Sequence, residues 1–544
     1  MLSATASPPL VLADTPTRAR PWRSRVGAPL RGGAAERLVG LAVALVGSWP
    51  VLRYLWVVAH RLGYPFELEW LEGGAVELAH RVATAQALYG PPSLHFTPWP
   101  YPPLYFWISG ALARVIGVGF LPLRIVSTAA SLVVLWLLYR LVVAETGDRA
   151  GGVLAAGVYA ATYRLAGAWA DLGRVDSLFL AFALAGLVVA HRAQSRRAGA
   201  VAGLLFFLSF FTKQDGLLIA LPVVAWLLIV RRRAGVSALA VLGGLVALST
   251  VALDAVSHGW YRYYVFGELP SQGIVRSQWQ GFWRHDLWHP LGLVVGLIVI
   301  GLALLFLGRR FAGHRSEGEW PVVGWRAGGF CAAGALGLLG AAWAGRLHAG
   351  GYDNVLMPGY AAVAWLVGLV VARLRSHPTA VARLGLSAGV VVIMGAQFHR
   401  TAYPIGPQIP SAADQRSGDA FLTLVRHLPG RVVVLDHPFY ATLAGKGTNA
   451  DEEAANDIER SGPSSARRVL VADMRTALLR PGVGAVILDN TGDERNLRAE
   501  LRSGYRLLAT PAVAGNAFSP VTDLQLRPSL VFVRRTAAAS GTGR

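Results

Sequence analysis

Twelve apolar segments constrain the fold of this chain more than any other feature. They cover residues 36–60, 103–118, 121–143, 151–169, 176–190, 199–211, 216–230, 235–256, 289–307, 322–344, 357–372 and 380–397. With 54% hydrophobic and only 15% charged residues, the 544-residue chain has the composition of a polytopic membrane protein. Because a spanning helix needs about 20 apolar residues, we predict a mostly α-helical transmembrane bundle of about 11–13 spans.

Short arginine-rich clusters separate many of these segments. They lie at residues 18–25, 191–197, 231–233, 308–315 and 373–377, in a chain of net charge +20. This spacing is typical of cytoplasmic loops and differs from the continuous basic face of a nucleic-acid-binding protein. The first apolar segment is too long for a cleaved signal peptide, so we interpret it as a retained anchor that follows a disordered basic cytoplasmic tail, residues 1–35.

The orientation of the segments raises a conflict. If the tail and every arginine cluster are cytoplasmic, twelve full spans cannot leave the C-terminal region outside. One segment must be half-inserted, or one boundary is missed, and we expect the exception between residues 103 and 169. The transmembrane domain then covers residues 36–397, with a long first external loop at 61–102.

The character of the chain changes after residue 397. Short apolar runs at 431–437, 467–473, 484–490, 505–510 and 529–535 have the pattern of buried strands, separated by polar stretches that suit helices. We predict an extracytoplasmic α/β domain over residues 398–544. Cys331 is the only cysteine, so the chain forms no internal disulfide.

The stretch FELEWLEGG at 66–74 is the first candidate for chemistry. It places Glu67, Glu69 and Glu72 among large apolar residues directly after the first segment. An idle charge there would cost desolvation energy, which favours a functional role such as taking a proton from a hydroxyl group. The alternative is a solvated acidic loop.

Three further clusters lie at the ends of apolar segments. In the first cluster, Asp171, Arg174 and Asp176 could hold a phosphate and a sugar. The alternative is an ordinary ion pair, since Arg174 would approach either aspartate if the segment is helical. Lys213 and Gln214 lie between apolar runs, where a cation is rare unless functional or paired, for instance with Asp215.

The third of these clusters follows a glycine pair at 350–351. Tyr352, Asp353 and Asn354 offer a stacking ring and hydrogen-bonding groups at the mouth of a span, as a sugar site would. A glycine turn with an aspartate N-cap is the alternative.

These elements together resemble a known family. The first loop has acidic residues near its start and a Pro-Pro-Leu-aromatic element at its end (Pro102, Pro103, Leu104, Tyr105). The later elements of the resemblance are RIVS at 124–127 and TKQ at 212–214. Over roughly residues 36–397 the chain is similar to the C-type (GT-C) membrane glycosyltransferases. Those enzymes include the protein O-mannosyltransferases and the aminoarabinose transferase of lipid A.

The resemblance implies an inverting transfer of a sugar from a polyprenyl-phosphate donor to a cell-envelope acceptor on the outer membrane face, with a first-loop acid as base. Family members present two adjacent acids or two acids one residue apart, so Glu69, Glu72 and Glu67 all stay candidates. Glu67 and Glu69 could also ligate a divalent cation, Mg²⁺ or Mn²⁺, although two carboxylates do not specify a metal. The resemblance implies contacts to the donor phosphate from Arg124, Arg174 and Lys213. Together with the clusters described above, the candidate donor-binding residues are Arg124, Asp171, Arg174, Asp176, Lys213, Gln214, Tyr352, Asp353 and Asn354.

Two other classes of function fit parts of the sequence. A secondary transporter would use Lys213, Asp176 and Asp215 as coupling charges, but the chain has no obvious repeated halves. A membrane scaffold would use the C-terminal domain to bind a partner, and would tolerate neutralisation of the acidic loop.

Overall fold

The computed structural model of the chain describes residues 33–311, 325–480, 482–489, 498–508 and 518–535. The predicted tail therefore lies almost entirely outside the described residues. So does part of the arginine cluster at 308–315.

Each of the twelve predicted apolar segments contains a helix, but the one predicted at 151–169 is helical only as far as Ala161. With one additional amphipathic helix, α2, the helices up to residue 400 are α1 (Ala34–Arg61), α2 (Glu72–Ala83), α3 (Leu104–Ile116), α4 (Phe120–Thr146), α5 (Arg149–Ala161), α6 (Asp176–Arg192), α7 (Arg196–Thr212), α8 (Gly216–Val230), α9 (Arg232–Val256), α10 (His289–Phe311), α11 (Trp325–Leu347), α12 (Met357–Leu374) and α13 (Ala380–Arg400). Within the described part of the chain, seven helical stretches are long and apolar enough to cross a membrane. The protein is therefore a multi-pass membrane protein.

Small residues let the helices approach closely. A Cβ added to Gly157 in α5 would lie 2.1 Å from the carbonyl oxygen of Gly47 in α1. Such contacts replace the hydrophobic effect as the source of helix association in lipid. Between α4 and α5 the chain reverses in two residues, because Gly147 takes a φ of 76° and the Asp148 side chain accepts a hydrogen bond from the Ala150 N–H.

The connections gather at two ends of the bundle. One end carries the short α4–α5, α6–α7, α8–α9 and α12–α13 connections, where Arg375 bonds Asp148 at 2.7 Å and Arg231 bonds the carbonyl of His191 at 2.8 Å. The described arginines of the basic clusters between helices belong to this end. The opposite end carries the long connections, as the Arg61–Asp171 and Lys213–Asp176 ion pairs demonstrate.

Helix α3 resolves the conflict in orientation. At its start the Tyr105 hydroxyl donates to the carbonyl of Leu123 in the first turn of α4, and at its end only residues 117–119 separate it from α4. Both ends of α3 thus lie at the end with the long connections. The other eleven apolar helices of the described chain alternate in direction, which agrees with an exception between residues 103 and 169, while the orientation of the spans in the membrane stays a prediction.

The long connection after α9 is built from short helical turns. These are Trp260–Arg262, a π-helical turn at Tyr263–Glu268, Leu269–Ser271, Gln278–Gly281 and a second π-helical turn at Phe282–Trp288. Before α12 lies a 3₁₀ turn, Asp353–Leu356, and after α13 another, Gly406–Gln408.

The C-terminal region forms a small α/β unit. Its elements are α14 (Ala412–His427), β1 (Arg431–Val434), α15 (Pro438–Leu443), α16 (Glu452–Arg460), α17 (Ser465–Leu479), β2 (Val483–Leu488), α18 (Arg498–Gly504), β3 (Tyr505–Leu508) and β4 (Leu530–Arg534). The described strands form a sheet of order β1-β2-β4-β3, in which β1 and β2 are parallel and the other pairs antiparallel.

One strand prediction is wrong. Residues 467–473 belong to helix α17, whose N-cap Ser464 accepts a hydrogen bond from the Arg467 N–H. Its buried residues Ala466, Leu470 and Ala477 recur at helical spacing. The apolar run was too short to distinguish a strand from one face of a helix.

One face of the sheet packs against the helix bundle and the other face against the first loop. Val432 and Val434 of β1 share one continuous core with the helix bundle, whereas Val433 packs on the other side with Leu94 of the first loop. Leu94 is fixed there by two backbone hydrogen bonds of 2.9 Å, to the Asp473 carboxylate and from the Ala450 N–H. The first loop is therefore a packed part of the structure. The domain boundary at 397/398 stays a prediction, and α13 runs on to Arg400.

Candidate functional site

A cavity of about 750 Å³ lies between the long connections and the α/β unit. This volume is in the range of small-molecule sites. Five of the predicted site residues line it: Arg174, Lys213, Gln214, Tyr352 and Asn354. The first loop contributes Trp70, Leu71, Trp99 and Tyr101 to its wall.

Arg174 is the cation at the first-loop side of the cavity. Its guanidinium lies between two indole rings, 4.3 Å from the centroid of Trp99 and 4.5 Å from that of Trp169. The side chain is 5% exposed, and its Nε and Nη1 have no hydrogen-bond partner in the described chain. A held, desolvated guanidinium with free N–H groups suits an anionic group such as a phosphate.

The turn before Trp169 explains how this ring is placed. Residues 162–175 are not helical, and Gly167 and Ala168 have φ values of 69° and 60°. The left-handed pair turns the chain so that Trp169 lies 5.6 Å from the Tyr352 ring, at 34°. The alternative explanation, an ordinary ion pair of Arg174 with Asp171 or Asp176 in a helix, does not apply, because Asp171 pairs with Arg61 and Asp176 with Lys213.

Lys213 supplies a second cation. Its Nζ lies 2.8 Å from Asp176 Oδ1 and 3.4 Å from Asp215 Oδ2, and Asn354 Nδ2 donates to the same Asp176 oxygen at 3.0 Å. Gln214 donates to the carbonyl of Pro100 at 2.8 Å. The predicted clusters from three connections thus meet at one wall, and Asp176 acts from behind the cavity by holding Lys213 and Asn354.

Glu69 has a free oxygen next to this site. Its Oε1 accepts a hydrogen bond from the Leu71 N–H at 3.1 Å, while Oε2 has no hydrogen-bond partner among the described residues and lies 4.0 Å from Arg174 Nη1. Burial raises the pKa of Glu69 well above its ordinary value, and the charge of Arg174 only partly opposes this shift. Its neighbours Trp70 and Leu71 line the cavity.

Glu72 is fully engaged elsewhere. Arg124 donates to both of its oxygens, at 3.0 Å and 2.6 Å, and the N–H groups of Gly173 and Leu68 donate at 2.7 Å and 2.8 Å. Burial opposes ionisation of Glu72, but Arg124 and these hydrogen bonds outweigh it and hold its pKa below the ordinary value. Such a carboxylate is a poor proton acceptor.

Glu67 faces the α/β unit. Its Oε2 contacts Nδ1 of His437, the residue directly before α15. Burial raises the pKa of Glu67 to about 7, against the opposing charge of His437. The three glutamates therefore point to three different partners, and of them Glu69 lies beside Arg174.

Arg124, Asp171 and Asp353 do not line the cavity. Arg124 is bound to Glu72, and Asp171 accepts two hydrogen bonds from Arg61 at 2.6 and 2.7 Å. Asp353 pairs with Arg346 at 3.3 Å. The structure thus places these three predicted binding residues in ion pairs that fix the connections.

The α/β unit adds acidic residues that sequence reasoning missed. Asp436, Asp457 and Asp523 line the cavity, and Asp436 is 2% exposed with an Oδ2 that has no partner among the described residues. Asp436 and Asp489 both follow parallel strands at their carboxyl ends, in VLDH and ILDN. Functional side chains collect at that edge of a sheet, so an aspartate directly after an apolar strand is a sequence signal that could have identified Asp436 and Asp489.

The possible cation site at Glu67 and Glu69 does not fit a shared metal. The two carboxylates face His437 and Arg174, and the described residues contain no group of three or more His, Cys, Asp or Glu that could hold a metal ion.

Comparisons with known proteins agree with this architecture. Residues 100–254 match the family model for dolichyl-phosphate-mannose-protein mannosyltransferases. The structure is similar to that of ArnT from Cupriavidus metallidurans bound to undecaprenyl phosphate, with a TM-score of 0.52 and 14% identity over 92% of this chain and 98% of that one. The chain has the GT-C fold.

Another GT-C structure and a sequence search complete the comparison. The Archaeoglobus fulgidus oligosaccharyltransferase in complex with zinc and sulfate gives a TM-score of 0.46 at 11% identity, over 90% of this chain and 72% of that one. No curated protein sequence matches the chain significantly. The predicted resemblance to GT-C glycosyltransferases is confirmed, and its evidence covers the fold and residues 100–254.

Proposed function

We propose that the protein transfers a sugar from a polyprenyl-phosphate donor to a hydroxyl-bearing acceptor at the external membrane face, with Glu69 as general base. One observation carries this proposal: within the described part of the chain, Glu69 has a buried, unpartnered oxygen 4.0 Å from Arg174, a cation at the cavity wall that itself has free N–H groups. The family match to dolichyl-phosphate-mannose-protein mannosyltransferases and the binding of undecaprenyl phosphate by ArnT support the class of donor.

The position of the cavity supports the external orientation. It lies at the end of the bundle opposite the described arginine clusters, which the positive-inside rule assigns to the cytoplasm. A polyprenyl tail would remain in lipid while its phosphate and sugar reach Arg174 and Lys213.

The proposed reaction uses these positions. The acceptor hydroxyl forms a bond to the anomeric carbon as the bond from that carbon to the phosphate oxygen breaks, and the hydroxyl proton passes to Glu69 Oε2. The electron pair of the broken bond stays on polyprenyl phosphate, whose charge Arg174 and Lys213 stabilise. Attack from the side opposite the phosphate inverts the anomeric centre.

Substitution of Arg174 tests donor binding. Arg174→Gln removes a charged donor to the phosphate, worth ~1.5–3 kcal/mol, so we expect the Kd for polyprenyl phosphate to rise about 10-fold to 100-fold. Titration of tryptophan fluorescence measures it, because Trp99 and Trp169 flank the guanidinium. Arg262→Gln, an exposed arginine of the α9–α10 connection, is the control. An unchanged Kd would remove Arg174 from the phosphate site.

The activity should also depend on pH in a stated direction. Glu69 must be ionised to accept a proton, and burial raises its pKa, so the acidic limb of kcat should lie above the ordinary glutamate value of about 4.3. Arg174 opposes that shift, so Arg174→Gln should move the limb to higher pH. The kcat–pH profiles of the two proteins measure this, and a limb at or below pH 4.3 in both would contradict the role of Glu69.

The alternative function, a secondary transporter, is supported by the Lys213–Asp176–Asp215 cluster. It predicts solute movement without any glycosylated product. Transfer of sugar by the purified protein distinguishes the two functions.

A further inference from the structure

A buried histidine joins the acidic loop to the α/β unit. His437 Nδ1 contacts Glu67 Oε2, and His437 Nε2 lies 2.8 Å from Asp489 Oδ2. All three side chains are 1% exposed. Since both ring nitrogens face carboxylate oxygens, the ring donates from both, and this chain of contacts is held by charge as well as by hydrogen bonds.

The surroundings favour the protonated ring. Burial opposes the positive charge, but Asp489 and Glu67 outweigh it and raise the pKa of His437 well above its ordinary value. Tyr440 lies beside the histidine, with the ring centroids 5.5 Å apart.

The α/β unit holds the same stretch of the loop by its backbone. The Glu67 N–H donates to the Tyr440 hydroxyl at 3.2 Å, and the Leu68 carbonyl accepts from the Thr522 N–H at 2.9 Å. On the other side, the Leu68 N–H donates to Glu72 at 2.8 Å. The next residue is Glu69, so every one of these contacts limits where its carboxylate can lie.

Close packing leaves Glu67 little freedom. A Cβ added to Gly73 would lie 2.2 Å from Glu67 Oε1 and 3.4 Å from the Cβ of Phe439. Phe439 belongs to α15, which follows His437 directly. Loss of the histidine contact would therefore leave a buried carboxylate without its cation in a tightly packed place.

We propose that His437 is a positioning residue for the transfer reaction: through Glu67 it fixes residues 67–69, and thereby the place of the Glu69 carboxylate beside Arg174. The α/β unit then completes the active site. This role rests on the proposed function, because Glu69 is its base.

Two substitutions separate the two contacts of the ring. In His437→Asn the amide nitrogen takes the place of Nδ1 and retains a donor for Glu67, whereas in His437→Gln it takes the place of Nε2 and retains the donor for Asp489. Hydrogen–deuterium exchange of the peptide covering 66–72 reports loop order without any activity. We expect about 10-fold to 100-fold faster exchange than wild type in the Gln variant, and a clearly smaller increase in the Asn variant, whose neutral amide retains the hydrogen bond to Glu67 but not the charge.

Kinetics provide the second measurement. A base displaced by about 1 Å costs on the order of 10²-fold, so kcat per folded protein should fall by that factor in His437→Gln, with KM for the donor nearly unchanged. In the background of Glu67→Gln, His437→Gln should cause little further loss, because the histidine acts through Glu67. His427→Asn, at an exposed histidine of α14, is the matched control and should match the wild type in both measurements.

Exchange also distinguishes the possible failures. Peptides from β1 and β2 that stay protected establish that each variant is folded. Equal exchange of residues 66–72 in the Asn and Gln variants, or additive losses in the double variant, would overturn the positioning role of His437. Faster exchange in the Gln variant with an unchanged kcat would instead overturn Glu69 as the base.

Discussion

Glu69→Gln is expected to reduce kcat by about 10²–10⁴-fold, the usual contribution of a general base. The amide retains the shape of the side chain but cannot take the hydroxyl proton. Because Glu69 Oε2 accepts no hydrogen bond from any described residue and lies 4.0 Å from Arg174, the folded protein should lose little stability. The measurement is single-turnover transfer from a polyprenyl-phosphate sugar, with thermal unfolding in detergent recorded for the same preparation.

Two other variants make this result specific. Asp419→Asn removes an exposed carboxylate of α14 and should leave both activity and stability unchanged. Glu72→Gln should act mainly by lowering the free energy of unfolding, because it removes the charge that Arg124 binds. A fully active Glu69→Gln protein would assign the base to another residue.

Arg124→Ala is expected to destabilise the protein by about 3–5 kcal/mol, because it leaves the Glu72 carboxylate buried without its cation. Both side chains are 0% exposed, and Arg124 also donates to the carbonyls of Tyr64 and Phe66 at 2.5 and 2.6 Å. The pair thus ties the start of α4 to the first loop. Denaturant unfolding in detergent measures the change in free energy of unfolding.

A double variant shows whether the loss comes from the pair. Arg124→Met with Glu72→Met removes both charges and should lose much less stability than the sum of the single variants. The exposed Arg262→Met is the control. A loss below about 1 kcal/mol in Arg124→Ala would mean that this pair behaves as a solvent-exposed one.

The sequence predicted the helices well because apolar length and arginine spacing reflect the membrane directly. The same rules required one exception to the alternation, which we expected between residues 103 and 169, and the placement of α3 agrees with that expectation. The strand predicted at 467–473 failed because a short apolar run cannot distinguish a strand from one buried face of a helix such as α17.

The site was harder to predict because its residues meet through tertiary contacts. Arg174, Lys213 and Asn354 were candidates because polar residues lie there at the ends of apolar segments, and the structure brings them to one cavity. Sequence could not reveal that Arg124 and Asp171 are occupied by Glu72 and Arg61, since these partners are 52 and 110 residues distant. For the same reason it left the three glutamates equivalent.

The sequence was least informative about the role of the α/β unit. Asp436 and His437 are adjacent in sequence, yet Asp436 lines the cavity while His437 contacts Glu67. Asp436 and His437 follow a strand in the sequence VLDH, which indicates a site for functional residues. Their separate roles depend on how the α/β unit packs on the first loop.

Sugar transfer by the purified protein in liposomes tests the central claim most directly. A set of labelled polyprenyl-phosphate sugars is supplied with a crude cell-envelope acceptor, and free polyprenyl phosphate is measured together with labelled product. We predict equimolar release and product formation with one of the donors, both lost in Glu69→Gln. Solute uptake into the liposomes without product, or transfer that continues in Glu69→Gln, would contradict the account.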